Sequence, residues 1–197
     1  MTQSNSADNI KNAAPKIIGI TGSSGSGKSY IAKKFAQEEN GFVICADEIA
    51  HKVMAPGGAA FGEIIEAFGS GILSETGHID RKILGPIVFA DQKKRELLER
   101  ISHKHVIAEV DRLKEFAQNS KNGYNYIIID APLLIEANVH HTVDEVWVVN
   151  ADLETRLERV MARDGITRED ALRRFSAQTS FEELAKHADR VIENGEQ

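Results

Sequence analysis

The 197-residue chain has one cysteine, Cys45, so it forms no internal disulfide. Its seven histidines and single cysteine show none of the paired-cysteine spacings of a zinc module. Apolar runs are only a few residues long, far short of the roughly 20 needed to cross a bilayer. The stretch 1–15 is polar and lacks the apolar segment of a secretory signal, so it reads as a disordered tail. No internal repeat is present, and neither is the Asn-Lys-x-Asp motif by which GTPases read guanine. A basic excess is missing too. Against 24 Lys and Arg stand 30 Asp and Glu, a net charge of −6, which argues against nucleic acid or an anionic membrane as partner while leaving room for local basic patches. These absences point to a reducing, cytoplasmic setting. They also leave the fold to its core alone, which a chain of this size supplies by burying roughly 70% of its unfolded surface.

What is present has a clear order. Residues 16–21 form a short apolar run that stops at a glycine-rich turn. From Lys28 to Glu39, Ile31, Ala32, Phe35 and Ala36 recur at helical spacing, and Phe42 to Cys45 is a second apolar run. This is a βαβ unit, which favours a parallel sheet. Tyr126 to Asp130 and Glu145 to Val149 are nearly unbroken apolar strands of the kind covered on both faces. Between them and the first unit, about 47–120 reads as a helical insertion, including one long charged helix from Asp91 to Phe116 with Leu97, Leu98, Ile101, Val106, Val110 and Leu113 on its buried side. After Asn150 come helices with Leu153, Leu157 and Val160 on one face, an interruption at Gly165, and a last strand at Arg190 to Ile192. The expectation is a three-layer α/β fold, a single domain over 16–197 with its core in 16–46 and 124–197.

Gly22 to Ser29 reads Gly-Ser-Ser-Gly-Ser-Gly-Lys-Ser and matches G-x-x-x-x-G-K-[ST], in the required place between a strand and a helix. Glycines allow successive N–H groups to face a polyphosphate, and the helix N-terminus adds partial positive charge. Lys28 reaches the outer phosphates and Ser29 can ligate magnesium, so Gly22, Gly25, Ser26, Gly27, Lys28 and Ser29 form a nucleotide loop. The bland alternative is a glycine-rich turn that only caps a helix. Asp130 ends an apolar strand as the second carboxylate of such sites does, reaching magnesium through water, or it is a strand-end turn aspartate. Without the guanine motif, the nucleotide is expected to be ATP.

Asp47 lies just beyond the second strand, at the sheet edge where the loop also lies, and is a candidate base for an acceptor hydroxyl. It reads equally well as an N-cap for the helix Glu48 to Val53. Arg156, Arg159 and Arg163 share one helix face, and Arg168, Arg173 and Arg174 follow Gly165. The segment about 156–178 is thus an Arg-rich lid able to close over phosphates, or a solvated face paired with Glu158, Asp164, Glu169 and Asp170. His103 and His105 point to different helix faces and His140 and His141 lie in a polar loop, which disfavours metal ligation.

In these motifs the chain resembles the dephospho-coenzyme A kinases, P-loop small-molecule kinases, from about Ile17 to Asn194. The resemblance rests on Ile-Thr-Gly-x-x-Gly-Ser-Gly-Lys-Ser at 20–29, Ala-Asp-Glu-Ile-Ala at 46–50, Pro56-Gly57 and Phe68-Gly69. It continues in Ile79-Asp80-Arg81, Val88-Phe89-Ala90, 130–136, 146–149, Met161-Ala162-Arg163-Asp164-Gly165 and Ala177-Gln178. It implies transfer of the ATP γ-phosphate, with Mg2+, to the ribose 3′-hydroxyl of dephospho-CoA, by a core, a helical substrate-binding insertion and a lid. By the same resemblance Asp47 orients or deprotonates the acceptor, Lys28 and Arg159 stabilise transferring charge, and Ser29 holds magnesium. Arg81, Phe89, His103, Leu133 and Arg163 match positions around the acceptor pocket or lid. Tyr30 flanks the loop, and Asn194 matches an asparagine near the nucleotide base. Departures are Cys45 for aspartate, His51 for arginine, Lys104 for proline, and Ser23, Ser24 and Tyr30 for the commoner Gly, Ile and Thr. They bear on acceptor affinity and rate more than on fold. A changed acceptor, or a nucleotide-binding regulator without turnover, are the alternatives.

Overall fold

The computed structural model describes residues 14–195, so most of the expected N-terminal tail lies outside the described residues. The chain divides into two compact units, one formed by the residues up to Cys45 together with those from Glu115 onward, the other by Ala46–Lys114.

The first unit is built on five parallel strands in the order β2-β3-β1-β4-β5. These are β1 (Lys16–Thr21), β2 (Gly41–Cys45), β3 (Tyr126–Asp130), β4 (Glu145–Asn150) and β5 (Arg190–Glu193). Side chains alternate across a strand, so Ile18 and Ile20, Ile128, and Trp147 and Val149 share one face with helix α1 (Lys28–Glu38). Phe35 of α1 meets Tyr126 and Trp147 edge-on, with ring centroids 5.0 and 4.7 Å away. The opposite-facing Ile127, Ile129, Val146 and Val148 are buried as well. Burial on both faces explains why β3 and β4 read as unbroken apolar runs rather than alternating ones. β1 lies centrally with β3 on one side and β4 on the other, and the loop after it therefore sits where ligands bind in open parallel sheets.

Helices α6 (Leu153–Asp164), α7 (Arg168–Ser176) and α8 (Phe181–Ala185) complete this unit. Leu157 and Val160 of α6 pack on Ala171 of α7, whereas Leu153, expected on the same buried face, is exposed. It is the first residue of α6, next to the Asp152 cap, so it lies a turn short of the α7 contact. Gly165 ends α6 in the left-handed conformation.

The second unit is helical: α2 (Ala46–Met54), α3 (Phe61–Phe68), α4 (Arg81–Ala90) and most of α5 (Gln92–Gln118). Its interior holds Ile49, Val53, Ile64, Ile72, Leu84, Ile101 and Val110, and Glu63 of α3 pairs with Lys104 and His105 of α5, both at 2.9 Å. α4 carries no clear helical signal in the sequence because Gly85-Pro86 interrupts it. Asp80 nevertheless caps it, accepting from the Lys82 N–H at 2.8 Å, and Pro86 is carried inside.

A histidine cluster in the first unit gives it an acid-sensitive point. The short 3-10 helix Val139–Thr142 places the His140 ring 3.9 Å from that of His141 and 5.0 Å from that of His187. Burial first, and then the neighbouring His141 and His187, lower the pKa of His140 below its ordinary value of 6.5. The unfolded chain therefore takes up a proton that the folded one refuses. The associated stability is complete above about pH 6.5 and is lost as pH falls from there through the folded pKa. Thermal melting between pH 7.5 and 5 is expected to fall less steeply for His140→Phe than for the parent chain; equal slopes would remove His140 as the cause.

Candidate active site

Backbone conformations open to glycine shape the loop between β1 and α1. Gly25 and Gly27 have φ of +81° and +85°, where side chains are strained. A Cβ on Gly25 would stand 2.5 Å from the Arg156 carbonyl oxygen, and one on Gly27 would collide with the Asn194 amide. Gly27 caps α1 without a side-chain hydrogen bond; the Tyr30 N–H closes onto Gly27 O at 3.0 Å, and the N–H groups of Lys28 and Ser29 are left for an anion.

Lys28 Nζ lies 3.7 Å from Asp130 Oδ1, too far for a hydrogen bond but within ion-pair reach. Asp130 ends β3 in register with Ile20 of β1 and Cys45 of β2, and is only 2% exposed. Its Oδ1 and the Oγ of Ser26 are buried with no hydrogen-bond partner. An aspartate that served only a turn would be expected to spend its oxygens on nearby backbone N–H groups, and Oδ1 does not. A buried carboxylate oxygen without a hydrogen bond, beside a cation and a helix start with open N–H groups, is the mark of a binding site. Asp130 and Ser29 offer hard oxygen donors suited to magnesium, which ordinarily takes the remainder of its shell from phosphates and water. Among the described residues no cluster of three or more His, Cys, Asp or Glu forms an all-protein cage. The donor chemistry thus fits a magnesium bound together with a nucleotide.

The carbonyl side of the loop is held from α6 and the chain's C-terminal segment. Arg156 Nε donates to Ser24 O at 3.1 Å, and its guanidinium lies over the Phe175 ring, 4.4 Å from the centroid. Burial lowers the pKa of Arg156. Arg159 Nη1 donates to Gly25 O at 3.3 Å and Asn194 O at 3.2 Å, while Asn194 Nδ2 donates to Ser26 O at 2.8 Å. Three successive carbonyls are therefore fixed by side chains distant in sequence, which fixes their peptide planes. Asn194 itself meets the loop.

The arginine stripe divides in two. Arg156 and Arg159 turn to the loop, whereas Arg163 forks onto Asp164 at 2.7 and 2.8 Å, joined there by Arg174 at 2.5 Å. Arg163 first, then Arg174, hold the Asp164 carboxyl at a pKa of about 2, below the usual 3.8. Arg168 pairs with Glu154, a partner not anticipated, and Arg173 with Asp170. Ion pairing thus describes four of these six arginines. Tyr30 and Leu133, both placed at the site from the sequence, are 54% and 53% exposed.

In the helical unit, α2 begins at Ala46, which puts Asp47 inside the first turn and not at the N-cap. Its carboxylate is exposed, and among the described residues no hydrogen bond to it is found. Arg81 Nη2 lies 3.3 and 3.2 Å from the two ring nitrogens of His51, and both residues line a cavity of about 480 Å³ with Glu48, Lys52 and His78. Phe89 is 83% exposed on α4, and His103 is exposed on α5. Sequence reasoning did not find the Gln178 side chain as a partner of the loop; it lies 154 residues from Ser24, and nothing local signals the contact.

The family model for dephospho-CoA kinase matches residues 16–197. A dephospho-CoA kinase of Carboxydothermus hydrogenoformans is 43% identical over 178 residues, 90% of this chain and 85% of the relative. One from Geobacter sulfurreducens is 44% identical, covering 90% and 89%. Among solved structures, the dephospho-CoA kinase of Campylobacter jejuni superposes with a TM-score of 0.64 at 28% identity, over 92% of this chain and 89% of the other. A Thermus thermophilus crystal structure reaches 0.76 at 33%, over 92% and 90%. A shikimate kinase of Acinetobacter baumannii, 14% identical with a TM-score of 0.52 over 93% and 86%, shares the fold.

Proposed function

Because this chain belongs to the dephospho-CoA kinase family, we propose a division of labour among its own residues in the family's reaction. That reaction is the ATP-dependent phosphorylation of dephospho-CoA on its ribose 3′-hydroxyl, giving CoA and ADP in coenzyme A biosynthesis. The observation that carries the assignment is the start of α1, open to an anion, beside the half-buried Lys28 and its buried partner Asp130.

Gly25, Gly27, Lys28 and Ser29 bind the phosphates through N–H groups, and the Lys28 ammonium follows charge onto the leaving β-phosphate oxygens. Arg159 adds a second cation, while Arg163, Tyr30 and Asn194 complete contacts to the nucleotide. Asp47 orients the 3′-hydroxyl and accepts its proton. Arg81, Phe89, His103 and Leu133 receive the rest of the acceptor. Ser29 and Asp130 would hold Mg2+, which when bound neutralises phosphate charge. Among the described residues no helix is long and apolar enough to cross a membrane, and we place the enzyme in the cytoplasm with a small molecule, and no nucleic acid, as its partner.

The test is ADP release from ATP and magnesium by the purified chain, with and without dephospho-CoA, and mass spectrometry of the product. Acceptor-dependent ADP release with CoA formed one-for-one is the expected result. Nucleotide binding without CoA formation would overturn the reading in favour of a changed acceptor or a binding role.

A further inference from the structure

The phosphate loop is gripped at one residue from outside the sheet. Every polar group of Ser24 is engaged by the segment that runs from α6 through the end of α7. The Ser24 N–H donates to Gln178 Oε1 at 3.1 Å, and Gln178 Nε2 donates back to Ser24 Oγ at 2.8 Å. The Ser24 carbonyl accepts from Arg156, whose guanidinium lies over Phe175, three residues before Gln178. Gln178 is itself set by its own N–H, which donates to Phe175 O at 3.1 Å, and the next residue, Thr179, donates from Oγ1 to Glu136 Oε1 at 2.6 Å. The grip thus links the loop after β1, the end of α7 and the segment following β3.

An amide that both accepts from and donates to the same residue is orientation-specific, because flipping it would put a donor against the Ser24 N–H. The hydroxyl that completes the pair exists because this chain has Ser at 24. The Gly25 N–H shares its peptide plane with the Ser24 carbonyl that Arg156 holds, so Gln178 and Arg156 together fix the two successive peptides on either side of Ser24, ahead of the phosphate-binding stretch. Beyond Ser24 the loop is held at its carbonyls, Gly25 O by Arg159 and Ser26 O by Asn194, whereas the N–H and hydroxyl of Ser24 are held by Gln178, in a stretch whose glycines leave the backbone many alternative conformations.

We infer that Gln178 is a positioning residue for nucleotide binding, a two-point clasp that preorganises the phosphate loop and couples it to α7. The inference rests on the kinase reading given above. Without the clasp, part of the nucleotide's binding free energy goes into ordering the loop, so affinity falls while acceptor binding is untouched. Coupling is reciprocal: a nucleotide that orders the loop also tightens the docking of α7.

Steady-state kinetics of the full chain test this with ATP and dephospho-CoA varied in turn. Gln178→Ala is expected to raise KM for ATP about tenfold, as the loss of two hydrogen bonds suggests, with kcat lowered less and KM for dephospho-CoA unchanged. Ser24→Ala keeps the N–H bond and loses the hydroxyl, so its KM should rise only a few-fold. Adding Gln178→Ala to it should then cost less than in the parent chain. Hydrogen exchange supplies a readout that does not need turnover: ADP should slow exchange across 168–178 in the parent chain and do so less in Gln178→Ala. Equal KM for ATP in the parent and both variants, or purely additive effects, would overturn the clasp. A parent chain that makes no CoA would instead overturn the kinase reading, and the ADP-dependent exchange would still decide the clasp.

Discussion

Replacing Lys28 by alanine is expected to lower kcat/KM for ATP by about a thousandfold, the size of effect that follows removal of a buried charge donor to a transition state. Lys28 faces two kinds of negative charge. In the proposed reaction one is the transferring phosphoryl group; the other is Asp130, whose buried Oδ1 lies 3.7 Å from Nζ with no hydrogen-bond partner. Removing the ammonium therefore does more than delete a contact. It leaves a desolvated carboxylate beside the place where the phosphates enter, and ground-state nucleotide binding falls with turnover. This second effect has its own signature. In magnesium-free buffer, ADP should bind Lys28→Ala/Asp130→Asn more tightly than Lys28→Ala alone, since neutralising Asp130 removes the repulsion. Calorimetry with both variants measures it. Equal affinities would mean that Asp130 does not act on the nucleotide through its charge, and unchanged kinetics in Lys28→Ala would take the loop out of the mechanism.

Asp47→Asn should leave ATP affinity nearly intact and cut kcat by a factor on the order of a hundred or more, the usual contribution of a positioned general base. Asp47 lies within the first turn of α2 and caps nothing, so the substitution removes no cap bond. Aspartate near a helix start is favoured by the dipole, but that effect is small and screened at an exposed position. A large loss of kcat with an unchanged melting temperature is accordingly the mark of chemistry, whereas a loss of stability with kcat preserved would return Asp47 to a structural role.

The two variants test residues of very different legibility. Lys28 stands in a motif whose spacing is itself the mechanism, because one strand, a glycine-rich turn and a helix start produce a phosphate site within a single short segment. Asp130 was marked by its place at the end of an apolar run, yet its missing hydrogen bond could not be read from the sequence. The N-cap alternative for Asp47 depended on where α2 begins, and one residue settled it: the helix starts at Ala46. Helix boundaries are the weakest part of any pattern reading because terminal turns are marginal. α4 escaped notice for a related reason, since Gly85-Pro86 breaks the local signal while burial of Leu84 and the Asp80 cap sustain the helix.

The arginines divide along the same line. Their spacing placed Arg156, Arg159 and Arg163 on one helix face, and periodicity could do no more. Which of them reach the loop and which are held by Asp164 depends on Gly25, Asn194 and Phe175 arriving from elsewhere in the chain.

By itself the sequence determined the parallel α/β architecture, the nucleotide loop and the family, because each is written in periodicity or in residues close together along the chain. Only the tertiary structure decided that Asp130 is buried with an unbonded oxygen, that Arg159 and Asn194 hold the loop's carbonyls, and that Gln178 clasps Ser24. Those contacts join residues up to 168 positions apart. Their partners are chosen by how strands and helices stack, and a local pattern carries no record of a neighbour that folding alone brings near.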